Sequence, residues 1–373
     1  MSVKPHRLIF LHPSDELYGA DRMLLEMLQA IDRTIEVEVW LPNDLTHPPD
    51  DLALCNTLTR SGITARHVAL PIMRRAYRNP RGMARLASQV SRLVRRLRVA
   101  RPGAVYCTSS AALLGAPAAR LAGVPKVIGH FQEVWAGPEA RVLAVAARAC
   151  HTLLAVSEAV TSALPADLQR RTVVVPNATP EPECVTSLGG RTGQLRFVVA
   201  SRWNAWKGHR TLLDAWGMAG APGHLTILGG PPLSGESVDV PALVSGMQQP
   251  ESVSVVGEVS DSSSYIEDAD VMIVPSDRPE PFGLVAIEAF ARARPVIGSA
   301  AGGLLGIVDD GVNGWLFPPG DAVALSGVLA NLNRDAVTEA GGLARETYEL
   351  SYTTERFGQR WRDAAFAGDL AGA

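Results

Sequence analysis

The sequence predicts an α/β chain built of two open parallel-sheet domains, and three observations carry that prediction. Its 373 residues exceed what one hydrophobic core ordinarily supports. Short β-branched runs alternate with longer segments of helical periodicity, the pattern of parallel βαβ units. The alternation collapses once, after Pro176, and then restarts.

In the first half, strands are expected at 8–12, 35–41, 105–107, 126–130, 152–156 and 172–175. A helix over 21–31 follows the first strand, with Met23, Leu24, Met27, Leu28 and Ile31 at core spacing. Beyond Pro176, the cluster Pro180, Pro182, Gly189, Gly190 and Gly193 reads as an interdomain linker. A second strand set is expected at 196–201, 224–228, 252–257, 271–275 and 295–298. Near the end, Phe357, Trp361 and Ala365 have the spacing of a packing helix over 354–366. The expected division is therefore a first domain over 1–178, a linker over 179–194, a second domain over 195–350, and a terminal segment over 351–373 crossing back onto the first.

Composition excludes several classes. With 47% apolar residues, 20% charged residues and a net charge of −3, the chain has neither the bias of a disordered protein nor a global affinity for nucleic acid. Cys55, Cys107, Cys150 and Cys184 lie far apart, so neither a zinc site nor a redox dithiol is expected and no metal is assigned. The apolar segment 8–12 is too short for a signal-peptide core, and the longest apolar stretch, 142–156, is broken by Arg148 and His151. A cytoplasmic location is expected.

The densest chemistry lies at 278–290, where a strand gives way to a loop and the loop to a helix starting near Gly283. Glu288 stands in a helix apolar on nearly all sides, so its carboxylate is expected to be buried and to need a basic side chain or a polar ligand. Two vicinal ribose hydroxyls would serve. Glu280 precedes the helix, roughly 10 Å away by helical rise. Between them, the free N–H groups of Phe282 and Gly283 at the helix start suit an anion or hydroxyl, and Leu284 beside them is a further expected substrate-binding residue. The alternative is a structural Glu288–Arg pair with a solvated Glu280. Arg202 and Lys207 follow the strand 196–201, at the sheet edge where open α/β folds bind ligands, and two cations there suit a pyrophosphate; as plain loop residues they would be solvated. Gly19, followed by Ala20, marks a tight turn after the first strand, and His130 ends the strand 126–130, facing the crevice or serving as an ordinary hydrogen-bonded residue.

These residues, with Ala155-Val-Ser-Glu158, Val175-Pro-Asn177, Leu228-Gly-Gly230, Gly302-Gly303 and Asp310-Gly-Val-Asn-Gly314 in order, make the chain similar to retaining glycosyltransferases of family 4. The resemblance covers most of 8–325 and is densest in the second half. It implies the GT-B fold, two Rossmann-like domains facing across a cleft. The first would be the acceptor side and the second would bind the nucleotide-sugar donor. It implies transfer of a hexosyl unit from a nucleotide-diphosphate sugar, UDP- or GDP-linked, to a hydroxyl of a glycan, glycolipid or small glycoside, without cofactor. Arg202 and Lys207 would hold the diphosphate, Glu280, Phe282 and Gly283 the sugar, Glu288 the ribose, Gly19 and Ala20 the donor from the other domain, and His130 the acceptor side. The departing phosphate would help deprotonate the acceptor hydroxyl. Ala20, Ala178 and Gly306 depart from the family pattern, which bears on the phosphate loop and the interdomain turn.

Two signals are discounted. Asp268-Ala-Asp270 spells a metal-binding pattern of the other large glycosyltransferase fold, but its position before a buried strand fits capping and turning instead. The stretch from Arg74 to Arg101 holds ten arginines and no acid. Met83, Leu86, Ala87, Val90, Leu93, Val94 and Leu97 form an apolar stripe through it, leaving the arginines to solvent or to an anionic membrane surface; without interleaved aromatics it does not fit nucleic acid. Two other functions remain open at this point: a nucleotide-sugar epimerase or hydrolase, and a non-catalytic nucleotide-sugar sensor.

Overall fold

The computed structural model describes residues 7–16, 19–44, 53–74, 79–232 and 236–366. Parts of four expectations lie outside them: the first six residues of the first domain, Tyr18 of the loop before Gly19, Arg75 and Arg78 of the basic stretch, and the chain end after Phe366. The chain divides into two compact units, one of residues 1–177 with 355–373, the other of residues 178–354.

The first unit holds a seven-stranded, all-parallel sheet in the order β3-β2-β1-β4-β5-β6-β7. Its strands are β1 (Arg7–Leu11), β2 (Glu36–Pro42), β3 (Thr64–Val68), β4 (Ala104–Cys107), β5 (Lys126–Phe131), β6 (Thr152–Ala155) and β7 (Thr172–Val174). The central strands read as unbroken apolar runs because helices cover both faces; β4 is buried at every position. β3, with the sequence Thr-Ala-Arg-His-Val, lacks that signal because it is an edge strand exposed at most positions, and periodicity did not disclose it.

The second unit holds a six-stranded parallel sheet in the order β10-β9-β8-β11-β12-β13, with β8 (Leu195–Ala200), β9 (Gly223–Leu228), β10 (Val253–Gly257), β11 (Val271–Val274), β12 (Val296–Ser299) and β13 (Gly314–Phe317). Counted within each unit, both sheets follow the 3-2-1-4-5-6 order of the Rossmann fold, so each has a topological switch point between its first and fourth strands. The four-residue β13 was also not anticipated; Gly314 and a half-exposed Trp315 dilute its apolar pattern.

The stretch expected as a linker packs within the second unit. Leu188 joins its core, and Arg191 donates to the Asp270 carboxylate at 2.9 Å. Asp270 is fully buried and also accepts from the Arg196 amide at 2.9 Å and from Arg334 at 3.3 Å. Burial pushes its pKa up, but the bonds from Arg191, the Arg196 amide and Arg334 outweigh that and hold it below the usual aspartate range. Asp270 is thus a strut of the fold.

The helix Thr354–Phe366 lays Phe357, Trp361, Ala365 and Phe366 into the first unit, where the Trp361 indole donates to the Tyr106 hydroxyl at 2.8 Å. The basic helix Pro80–Ala100 starts at Asn79, whose side chain accepts from the Gly82 amide at 2.8 Å, with Pro80 at the first helical position. Its stripe is narrower than expected: Leu93 and Leu97 are buried, whereas Met83 and Ala87 are exposed, Met83 at 67%. Among the described residues no helix is long and apolar enough to cross a membrane.

Candidate active site

At the switch point of the second sheet, the loops leaving β8 and β11 meet. Lys207, at the end of the β8 loop, donates from Nζ to Glu280 Oε1 at 2.6 Å, and the Ser276 hydroxyl donates to the same oxygen. Glu280 is 6% exposed and the Lys207 side chain 21%, so the pair is largely withdrawn from water. The Lys207 ammonium also stands 4.3 Å from the centroid of the Trp206 ring. The two loops are stitched by Asp277 N to Trp206 O at 2.8 Å and by Thr211 Oγ1 to Asp277 Oδ1 at 2.8 Å.

The loop after β12 closes on the same residues. Glu280 forms a parallel bridge with Gly302, and its carbonyl accepts from Gly303 N at 2.7 Å. Gly302 has φ +66°, and a Cβ there would lie 2.1 Å from the Glu280 carbonyl oxygen. Only glycine lets this loop approach so closely. Gly208 meets the same demand on the other side: φ is +73°, and a Cβ would fall 1.8 Å from Pro275 O.

The helix Leu284–Ala291 begins at Gly283, which is left-handed at φ 110°. Its first amides cannot be satisfied within the helix and are the natural anion or hydroxyl donors. Phe282 is 6% exposed, and its ring stands edge-on to Tyr352, with ring centroids 6.1 Å apart. Leu284 is half-buried.

Glu288 departs from expectation. It is half-exposed, on a face it shares with Leu284 and Val285, while Ala286, Ile287, Ala289, Phe290 and Ala291 are buried. The helix is apolar all round, yet this face is only partly covered, which apolarity alone does not disclose. Arg292, the nearest arginine in sequence, donates to the Glu288 carbonyl at 3.1 Å and to Ser263 Oγ at 2.8 Å. Arg202 lies half-buried in the β8 loop. Lys207, Glu280, Gly283 and the Gly302-Gly303 loop are therefore brought together, with Ser276 and His209 as members that sequence reasoning missed. His209 is fully buried, and burial, then the Lys207 charge, push its pKa down to about 4.

In the first unit, Gly19 opens the helix Gly19–Gln29, two residues earlier than expected, and Ala20 is exposed. His130 corrects the expectation made of it. β5 runs one residue further, to Phe131, and is buried on both faces there, so His130 lies inside the strand and is 0% exposed. Its Nδ1 meets the Tyr106 hydroxyl at 2.9 Å, the same hydroxyl that Trp361 reaches. Burial lowers its pKa to about 3. His130 is therefore buried and held on Tyr106 rather than projecting from a strand end.

The polar groups at this sheet's switch point are others. His12 bridges Thr108 Oγ1 and Asp21 Oδ1, each at 2.7 Å, and Ser14 donates to the same carboxylate. Glu133, in the loop after β5, accepts from Ser110 N at 3.1 Å, and burial raises its pKa against the opposing pull of its Ser110 bonds. A loop carboxylate two residues past a strand end carries no sequence signal that singles it out.

Three comparisons bear on this geometry. Residues 194–335 match the family described as "Glycosyl transferases group 1". Matching curated proteins include the D-inositol 3-phosphate glycosyltransferase of Xylanimonas cellulosilytica, 42% identical over 99 residues (26% of this chain, 22% of that protein). Another is the phosphatidyl-myo-inositol mannosyltransferase of Mycobacterium leprae, 30% identical over 125 residues (32% of this chain, 33% of that protein). The chain thus spans a third or less of the length of these two relatives. Solved structures cover far more. Anabaena HepE in complex with UDP and glucose superposes with a TM-score of 0.76 at 21% identity, over 95% of this chain and 98% of that one. The lipopolysaccharide outer core galactosyltransferase WaaB does so with a TM-score of 0.72 at 17% identity, over 97% and 99%. The fold is GT-B, two parallel-sheet Rossmann-like domains.

Proposed function

We propose that this chain is a retaining glycosyltransferase that moves a hexosyl unit from a UDP- or GDP-linked sugar to an acceptor hydroxyl, with no metal or cofactor in the transfer step. The observation that carries the reading is the desolvated Lys207–Glu280 pair at the switch point of the second sheet, ringed by the Gly302-Gly303 loop and the start of the helix Leu284–Ala291. The match of residues 194–335 and the UDP-bound state of HepE support it.

In this reading the second unit binds the donor and the first receives the acceptor. Lys207 and Arg202 offset the charge that grows on the diphosphate as the sugar–oxygen bond breaks, an effect largest where water is excluded. Lys207 begins on Glu280 and is shared with the phosphate on binding. Glu280, held by Ser276, and the amides of Phe282 and Gly283 then take the sugar hydroxyls, with Leu284 as the apolar wall. Glu288, on the partly covered face of its helix, accepts from the ribose. The acceptor proton leaves to the departing phosphate oxygen on the same face. On the acceptor side, Glu133 with the His12–Asp21 cluster takes the place first expected of His130. The exposed arginines between Arg81 and Arg98 hold the chain peripherally to an anionic membrane on its cytoplasmic side. Nucleic acid is not a partner.

The test is product analysis. The chain is incubated with UDP- and GDP-hexoses and hydroxylic acceptors, and the anomeric configuration is followed by NMR. Retention is expected, with full turnover in chelator. Inverted product, or donor conversion without any acceptor, overturns the reading, the latter in favour of an epimerase or hydrolase.

A further inference from the structure

Apart from any donor site, three chemically different ligand groups converge in the first unit. Asp15 comes from the loop after β1, Cys55 from the first turn of the helix Leu54–Arg60, and His67 from the edge strand β3. A ligand atom of each, carboxylate oxygen, thiol sulfur and imidazole nitrogen, lies within 4.8 Å of the other two. His67 Nε2 is 2.9 Å from Asp15 Oδ2, and Asp15 Oδ1 accepts from the Cys55 amide at 2.8 Å, which fixes the carboxylate. Asp15 is 1% exposed, while the His67 side chain is 30% exposed, so the cluster is rigid on its inner side and open on the other.

We propose that Asp15, Cys55 and His67 form a three-ligand site for a borderline-soft divalent cation, Zn²⁺ by its donor set, with water in the fourth position. In tetrahedral zinc sites the bond lengths place ligand atoms about 3.3–3.7 Å apart, so the 2.9 Å contact opens slightly and the sulfur closes in by rotation about its own side chain. A carboxylate, an imidazole and a thiolate together favour Zn²⁺ over Mg²⁺ or Ca²⁺, which take oxygen ligands. On ligation Cys55 gives its proton to solvent and the thiolate sulfur donates to the metal; nothing is oxidised or reduced. The site clips the edge strand β3 and the helix Leu54–Arg60 to the β1 loop. Spacing did not reveal it because the three residues are 40 and 12 positions apart and only the fold brings them together.

The full chain is stripped with chelator, loaded with Zn²⁺ or Co²⁺, freed of excess and assayed for metal by mass spectrometry. We expect one ion per chain, a near-ultraviolet thiolate-to-cobalt charge-transfer band, and a higher melting temperature when loaded. Cys55→Ser should abolish the band and His67→Gln should weaken binding at least about 10-fold, with circular dichroism confirming that both fold. Cys184→Ser, at an exposed cysteine, should leave band and affinity unchanged. Absence of stoichiometric uptake, or a band that survives Cys55→Ser, overturns the site.

Discussion

Replacing Lys207 with Met removes the cation from a carboxylate that cannot easily return to water. Breaking a fully buried pair costs about 3–5 kcal/mol, and losing an exposed one costs about 0–1 kcal/mol. Glu280 is nearly buried and the Lys207 side chain 21% exposed, and Ser276 keeps its bond to Glu280, so the cost falls between, at about 2 kcal/mol. In a domain of this size that lowers the melting temperature by about 4–8 °C. Glu280→Gln and the double variant complete a cycle, and residues in direct contact should couple by about 1–2 kcal/mol. The assay is thermal and urea unfolding followed by circular dichroism, with the second unit's transition fitted separately. If Lys207→Met melts within 1 °C of the parent and the cycle shows no coupling, the pair is a surface contact and its desolvation has been misread. In turnover the same variant should lose about 10²–10³-fold in kcat, the range for removing one fixed stabilising group.

The packing of the loops makes a sharper steric prediction. Gly208→Ala and Gly302→Ala place a Cβ within 1.8 and 2.1 Å of backbone oxygens and should abolish donor binding, whereas Gly220→Ala, with φ +71° and nothing within 4 Å, should cost only about 1 kcal/mol in urea unfolding. Acid should destabilise the fold above the carboxylate range. His130 and His209 have folded pKa values lowered to about 3 and about 4, so the unfolded chain binds two more protons as pH falls below about 6.5. Their stabilising contribution is complete above pH 6.5 and declines by up to about 1.4 kcal/mol per pH unit per histidine between there and about pH 4, read from urea midpoints. His130→Gln and His209→Gln should flatten that slope, and an unchanged slope in both contradicts the burial assigned to them. Glu133→Gln should lower kcat while leaving nucleotide affinity unchanged, and an equal loss in both places Glu133 elsewhere in the reaction.

Much of the architecture was legible because parallel sheets covered on both faces leave unbroken apolar strands. β1, β4 and β11 announce themselves, whereas β3 and β13 do not: one is a polar edge and the other a four-residue strand containing Gly314. In the site, Glu280 and Lys207 stand out in the sequence because charged residues at the ends of β8 and β11 fall at the switch point. Their bond to each other was not legible, since it joins positions 73 apart. Two errors share one cause. Helical apolarity was taken to bury Glu288, and a strand end was taken to expose His130. In each case the deciding quantity was which neighbouring element covers which face: for His130 the face is closed by Tyr106, to which Trp361 of the terminal helix bonds in turn. A single chain's local pattern does not encode that.

The central claim is that Lys207, Glu280 and their glycine loops are a nucleotide-diphosphate site. Titration calorimetry of the full chain with UDP, GDP and their hexoses, in chelator, tests it most directly. At least one nucleoside diphosphate should bind one to one, and Lys207→Met should weaken it more than tenfold while the circular dichroism spectrum stays that of the parent. Binding of equal strength in the variant, or no heat from any of these ligands, would contradict the account.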